Sequence, residues 1–380
     1  MNKSVLSHHT TVYLSITGFF LLSFFFACSP TKSVITSFVR TDSLLMPSVK
    51  ENPRTSEGAF VKLSDGSIMT VYTKFVGGKD DDAKAMLVRR ISQDKGASWG
   101  EDKTIVSDEG KMNVMSVSLL RLKDGRLAMF YLIKNSDSDC YPVMRISKDE
   151  GRSWSDSRPC ATPGSGYYVM NNNRVIQLKS GRILVPVALH SKNGTNGITF
   201  SPEAEIFCFY SDDNGMSWKE TDKVDKPEKL ITQEPGVVEL KNHDVLIYIR
   251  TDKGYQYFSK SHDGGMTWES ARQGNLVSPL APALIMRDPF TKALVAVWNN
   301  NPSQRNPICL AVSSDEGKTW QKEQILQNDP AYWYCYPAMI FPSKGVVLVS
   351  YCFGSPKNWG LGGMRIERYK IQFNRSKTDL

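Results

Sequence analysis

The chain has 380 residues, 41% hydrophobic and 23% charged, with 27 Gly, 19 Pro and only 5 His. That profile belongs to a folded chain and excludes a disordered, collagenous or polytopic membrane protein. The formal charge of +8 is scattered without a basic run. No nucleic-acid partner is therefore expected, and a mild preference for anionic substrates is the most this charge supports.

Residues 1–27, MNKSVLSHHTTVYLSITGFFLLSFFFA, carry one certain charge at Lys3 and an apolar run from Val12 to Ala27. The run is short for a membrane span and ends in a small residue, which fits an export signal. The Ala27-Cys28 pair resembles the end of a bacterial lipobox, in which the cysteine is acylated and becomes the first residue; Phe25 and Phe26 depart from that motif. The expectation is an exported chain, held in the cell envelope as a lipoprotein through Cys28, with plain secretion as the alternative. Residues 28–49 read as a tether. The other cysteines, Cys140, Cys160, Cys208, Cys309, Cys335 and Cys352, show no CxxC spacing, so no metal or other cofactor is expected. Several lie in apolar runs, where a buried thiol is the default.

One pattern recurs five times: SQDKGASW at 92–99, SKDEGRSW at 147–154, SDDNGMSW at 211–218, SHDGGMTW at 261–268 and SSDEGKTW at 313–320. A period near 50 residues marks a stacked or circular repeat. Within each copy, Ser and Asp oxygens can accept backbone N–H bonds, Gly supplies positive φ, and Trp is expected to bury its ring against the sheet. These boxes read as staples and not as catalytic sites.

Between the boxes the chain alternates strand-like runs with a second turn. The pairs of runs are Ala59–Leu63 and Ser67–Lys74, Val114–Leu122 and Arg126–Ile133, Arg174–Leu178 and Arg182–Leu189. They continue with Gly236–Leu240 and Val245–Arg250, Ala283–Met286 and Ala293–Trp298, Ala338–Phe341 and Val346–Tyr351. Short strands in repeated units without helical periodicity predict an all-β fold, a six-bladed β-propeller over residues 50–375, followed by a short tail at 376–380.

Strand parity then locates a site. In a four-stranded antiparallel unit the first turn and the box turn share one face. The opposite face receives the start of the innermost strand, the end of the second and the start of the third. Those positions hold Glu57, Asn171, Asn172, Asn173, Glu234, Tyr336, His190, Arg250, Asn299, Asp80, Asp81, Asp82 and Arg305. Converging carboxylates, arginines and a tyrosine suit glycosidic chemistry on an anionic sugar.

The boxes resemble the Asp boxes of the sialidase (neuraminidase) superfamily, in which they join the third and fourth strands of propeller blades. The resemblance covers nearly all of residues 50–375 and implies roles. In it, Glu234 in QEPGVVEL activates a tyrosine, Tyr336 is the nucleophile, and Asp82 is the acid/base, with Asp81 as the alternative. Arg250 and Arg305 would bind a substrate carboxylate. Where sialidases open the first blade with Arg-Ile-Pro, this chain has Ser56-Glu57-Gly58, with Arg54 two residues away and out of register.

The leading expectation is an exo-glycosidase, monomeric and acting on a terminal sialic acid or related acidic sugar of a glycan. Asn172, His190, Glu57 and Arg54 join the arginines as substrate-binding candidates. A lyase or hydrolase on uronic-acid polysaccharide, with His190 as base, and a glycan-binding propeller without catalysis are the alternatives.

Overall fold

The computed structural model describes residues 35–192, 200–358 and 362–373. The expected signal segment 1–27, Cys28 and the tail 376–380 lie outside the described residues. The described chain is β-strand and turn, with one 3-10 turn at Pro356–Asn358.

Four of the sheets have four strands each. The first is Arg54–Lys62, Ile68–Phe75, Ala85–Ser92 and Lys103–Val106, in sequence order. Two more follow the same meander, Thr232–Glu239 to Arg272–Val277 and Leu284–Arg287 to Gln321–Gln327. A nine-stranded sheet covers Asn113 to Glu220; within it, the short strand Gly166–Val169 joins two successive meanders by pairing with Asp139–Ser147 and Ile183–Lys192. The innermost strands pack neighbour to neighbour, and Trp333–Ser343 of the last sheet returns to Arg54–Lys62 of the first. The result is a propeller-type ring of sheets, antiparallel except where Gly166–Val169 runs parallel to Asp139–Ser147.

The hydrophobic core lies between adjacent sheets, because apolar residues alternate onto both faces of each inner strand. Val61, Met69 and Val71 meet Val114, Leu119 and Met129. Val238, Leu246 and Tyr248 meet Ile285, Leu294 and Trp298. All six described cysteines are buried thiols.

One boundary is corrected. The segment expected as a tether is, from Ile35 to Met46, the outermost strand of the last sheet, paired with Gly363–Phe373 from Ile35↔Phe373 to Met46↔Met364. Ile35, Phe38 and Met46 enter the core from it. Its alternation is broken by Arg40, Thr41, Asp42 and Ser43, which is why it reads as polar linker.

The boxes behave as staples. In the first, Ser92 Oγ accepts from Gly96 N (2.7 Å) and Asp94 Oδ1 from Ser98 N (2.8 Å), while the Ser98 hydroxyl donates to Asp94 Oδ2 (2.6 Å). The same bonds recur around Asp149, Asp213, Asp263 and Asp315. The bond from Ser98 and its counterpart from Thr319 hold the Asp94 and Asp315 carboxyls down at about 2. Each box also docks on the preceding unit. A Cβ on Gly96 would stand 2.4 Å from Leu348, and one on Gly215 would stand 2.1 Å from Met144.

The box tryptophans are half-buried, not buried as expected, because they lie at the rim of the junction between units. Trp218, for example, meets Phe130 of the preceding meander edge-on at 6.0 Å and 86°. Trp218→Ala should therefore destabilise the fold by about 2–3 kcal/mol, at or below the bottom of the range for buried aromatics. Urea unfolding monitored by circular dichroism checks this; an unchanged midpoint would remove the staple role.

A second latch runs along the same face. The first amide of an inner turn donates to an acceptor of the next unit: Ser64 N to Glu150 Oε2 (2.8 Å), Lys123 N to Gln177 Oε1 (2.8 Å), Lys179 N to Glu239 Oε2 (2.8 Å) and Lys241 N to Glu316 Oε2 (2.9 Å). Boxes and inner turns therefore share one face, as parity requires.

Candidate functional site

On the opposite face, the inner strands begin with a distorted backbone. Glu57, Ser116, Asn173, Glu234 and Tyr336 all have φ between 41° and 60°. Pairing registers shift at four of these points, between Ser56 and Ala59, Met115 and Ser118, Gln233 and Gly236, and Cys335 and Ala338. Left-handed backbone disfavours a side chain with a Cβ, and such residues gather where a bulge re-aims a side chain at a site. At these bulges the openings of different inner strands meet, as where Ser116 Oγ donates to Glu57. Asn172 Nδ2 there donates to Gly58 O (2.7 Å) and Tyr336 O (3.4 Å), and Arg174 Nη1 to Asn172 O (2.7 Å) and Pro337 O (3.1 Å).

Around this floor stand the charged groups. Arg250, ending its strand, is ion-paired with Glu234. Glu234 is also the charge that acts most on Tyr336. Burial, reinforced by Glu234, pushes the Tyr336 phenol well above its ordinary value, against the pull of Arg305 and Arg250. Arg305 donates from Nη2 to Leu280 O (3.1 Å) and has no carboxylate partner among the described residues. Tyr336, Glu234, Arg250 and Arg305 thus act on one another as a cluster.

Arg54 opens the same strand as Glu57. It alternates with Ser56 on one strand face, its guanidinium lies over the Phe75 ring at 4.3 Å, and it is 1% exposed. From there it meets Asp81 Oδ1 (2.5 Å) and Glu57 Oε1 (3.7 Å). Glu57 also points inwards and accepts from Ser116 Oγ (2.7 Å). Burial, with Asp81 and Glu234 nearby, raises the Glu57 carboxyl to about 7, while Arg54 and Ser116 oppose the rise. For Asp81, the pairing with Arg54 outweighs burial and holds the carboxyl below the usual range.

The Glu57 shift has a stability consequence with a defined sign. Between about 4.5 and about 7 the folded chain keeps a proton that the unfolded chain has lost. Stability should therefore fall as pH rises through that window, by about 3 kcal/mol at most. Glu57→Gln should flatten this part of the profile. Urea unfolding at pH 5 and pH 8 measures it, and an equal slope in both proteins would contradict the assignment.

The remaining candidates are placed less centrally. Asp82 pairs with Lys134, a lysine 3% exposed that also lies over the Tyr167 ring at 5.2 Å. His190 is held by Nδ1 against Ser201 O (2.7 Å), stacks on Phe200 at 4.4 Å, and has its pKa lowered by burial. Asn299 donates to Pro307 O (3.1 Å) and closes its own loop, and Asn173 donates towards Met339 O (3.4 Å). The sequence reading missed Ser116 and Lys134. Both occupy the same parity positions in the second meander, and a lysine closing the apolar run LAMFYLI was the available signal.

The sequence profile of the BNR repeat-like domain matches residues 45–349. The chain belongs to this family, within the sialidase superfamily. This BNR repeat-like chain is 31% identical over 161 residues to the anhydrosialidase of Macrobdella decora, covering 38% of this chain and 19% of that protein. It is 25% identical over 233 residues to the sialidase of Paraclostridium sordellii, covering 54% and 55%. It thus spans a fifth to little more than half of the length of these relatives. Among solved structures, it is similar to a Dyadobacter fermentans DSM 18053 protein of unknown function, with TM-score 0.72, 20% identity, and 89% and 100% of the two chains covered. It is also similar to the intramolecular trans-sialidase of Ruminococcus gnavus, with TM-score 0.67, 15% identity, and 85% and 96% covered. These likenesses agree with the propeller-type ring.

Proposed function

We propose that the chain is an exported, retaining exo-glycosidase of sialidase type, built on six blades, that removes a terminal acidic sugar from a glycan. The observation that carries this reading is the cluster of Tyr336, Glu234, Arg250 and Arg305 at one end of the ring axis, opposite the boxes. The sialidase relatives support it. Tyr336 attacks the anomeric carbon and passes its proton to Glu234. A phenol reaches an anionic sugar without the repulsion that a carboxylate nucleophile would meet. Asp82 protonates the leaving oxygen, with Asp81 as the alternative; each lies in an ion pair, Asp82 with Lys134 and Asp81 with Arg54. Water then releases the sugar with its configuration retained.

The test is to incubate purified protein with sialyl, uronyl and neutral aryl glycosides and to follow free sugar by reducing-end analysis. Free sugar with retained anomeric configuration is expected. An unsaturated product would sink the hydrolytic reading, and binding without release would leave a glycan-binding propeller.

The lipoprotein reading rests on the Ala27-Cys28 pair. A fatty-acid analogue should label the protein, and Cys28→Ala should abolish the label. Label persisting in the variant would exclude acylation at Cys28.

A further inference from the structure

The charges at the axial end can be matched one against another. The cations are Arg54, Lys134, Arg174, Arg250 and Arg305. Arg54 is held by Asp81 and Glu57, Lys134 by Asp82, and Arg250 by Glu234. Arg305 and Arg174 have no carboxylate ion pair among the described residues: Arg305 donates to Leu280 O, and Arg174, buried in the floor, to Asn172 O and Pro337 O.

Glu57 is fixed in this arrangement. It is 6% exposed, it sits on left-handed backbone at φ 57°, and the Ser116 hydroxyl holds its Oε2. The protein therefore carries its own carboxyl group at the Arg54 end of the cluster. A guanidinium already neutralised by protein carboxylates has little net positive charge left with which to attract a substrate carboxylate.

We propose that Glu57 sets the class of sugar accepted: a glycan terminus that offers hydroxyl groups, not a carboxylate, to the Arg54 side, with any acidic group left to Arg305. This rests on the site binding a glycan terminus, as in the reading above. A carboxyl in this place suits hydroxyls in either protonation state. Ionised, it accepts from a sugar hydroxyl; protonated, it donates to one. Towards a second carboxylate the ionised form is repulsive, and Asp81 on the same arginine adds to that repulsion.

The probe is a pair of ligands that differ in charge, the methyl α-glycoside of sialic acid and its methyl ester, each titrated by calorimetry at pH 8, where Glu57 is ionised. Wild type is expected to bind the two within about threefold of each other. Glu57→Gln keeps the shape and removes the negative charge, and should shift the ratio at least tenfold towards the free acid. Glu57→Ser serves if the glutamine variant does not fold, and Arg305→Gln should remove whatever preference for the acid remains. A ratio unmoved by Glu57→Gln overturns the proposal, as does failure of every variant to bind either ligand. The glycosidase reading fails separately: turnover can be absent from all substrates, and Tyr336→Phe without effect, while the binding ratio still responds to Glu57.

Discussion

Tyr336→Phe and Glu234→Gln should each lower kcat/KM on the best glycoside by about 10²–10⁴-fold, with the double variant little worse than either single change. The expectation comes from the electrostatics of the pair. Burial and Glu234 hold the phenol protonated at rest, so it becomes nucleophilic only as its proton leaves during attack. Glu234 is the carboxylate placed to influence that proton, and its ion pair with Arg250 fixes its orientation. A nucleophile and its base remove one barrier together, so losing either removes the whole contribution. Thermal melts of all three variants must match wild type for the comparison to hold. Additive losses would mean that the two residues act in separate steps, and full activity of Tyr336→Phe would falsify the assigned nucleophile.

A chain lacking residues 1–46 should not fold to a stable monomer. The missing strand withdraws Ile35, Phe38 and Met46 from the core. At 1.5–3 kcal/mol for each large apolar side chain, burial alone amounts to roughly 5–9 kcal/mol. That is comparable to the whole stability of an ordinary domain. The strand Gly363–Phe373 would also become an open edge with unpaired backbone groups, which favours aggregation. Soluble yield and the melting curve of the truncated chain measure the effect, and a peptide spanning residues 35–46 should restore part of it. A truncated protein that melts where the full chain does would show that the strand is dispensable.

The repeat architecture was legible because its grammar is local. Ser, Asp, Gly and Trp at fixed spacing force the same turn five times, and the parity of four antiparallel strands follows from that. Tyr336, Glu234, Arg250 and Arg305 were found by counting along strands, and the structure brings them together. The depth at which Arg54 sits was not legible, because a bulge between Ser56 and Ala59 changes the register, and nothing in the residues SEGA announces a bulge in the way a glycine-rich turn announces itself. The closing strand was missed for a different reason. Its pairing is with a segment more than 300 residues away, and Arg40 to Ser43 obscure its alternation. Lys134 was legible in principle, since the same parity applied to the second meander points to it.

The left-handed openings of the inner strands also bear on how such a ring can change over generations. Backbone at Glu57, Ser116, Asn173, Glu234 and Tyr336 takes the same turn whether the side chain is acidic, hydroxyl, amide or phenolic. Each opening is therefore an interchangeable socket, held by the frame around it and indifferent to what it displays. Single codon changes can exchange the group shown at the axis without rebuilding a strand. The opposite face has no such freedom, because a Cβ at Gly96 or Gly215 would collide with the neighbouring unit. New substrate ranges should accordingly arise by drift on one side of the ring while the other stays locked.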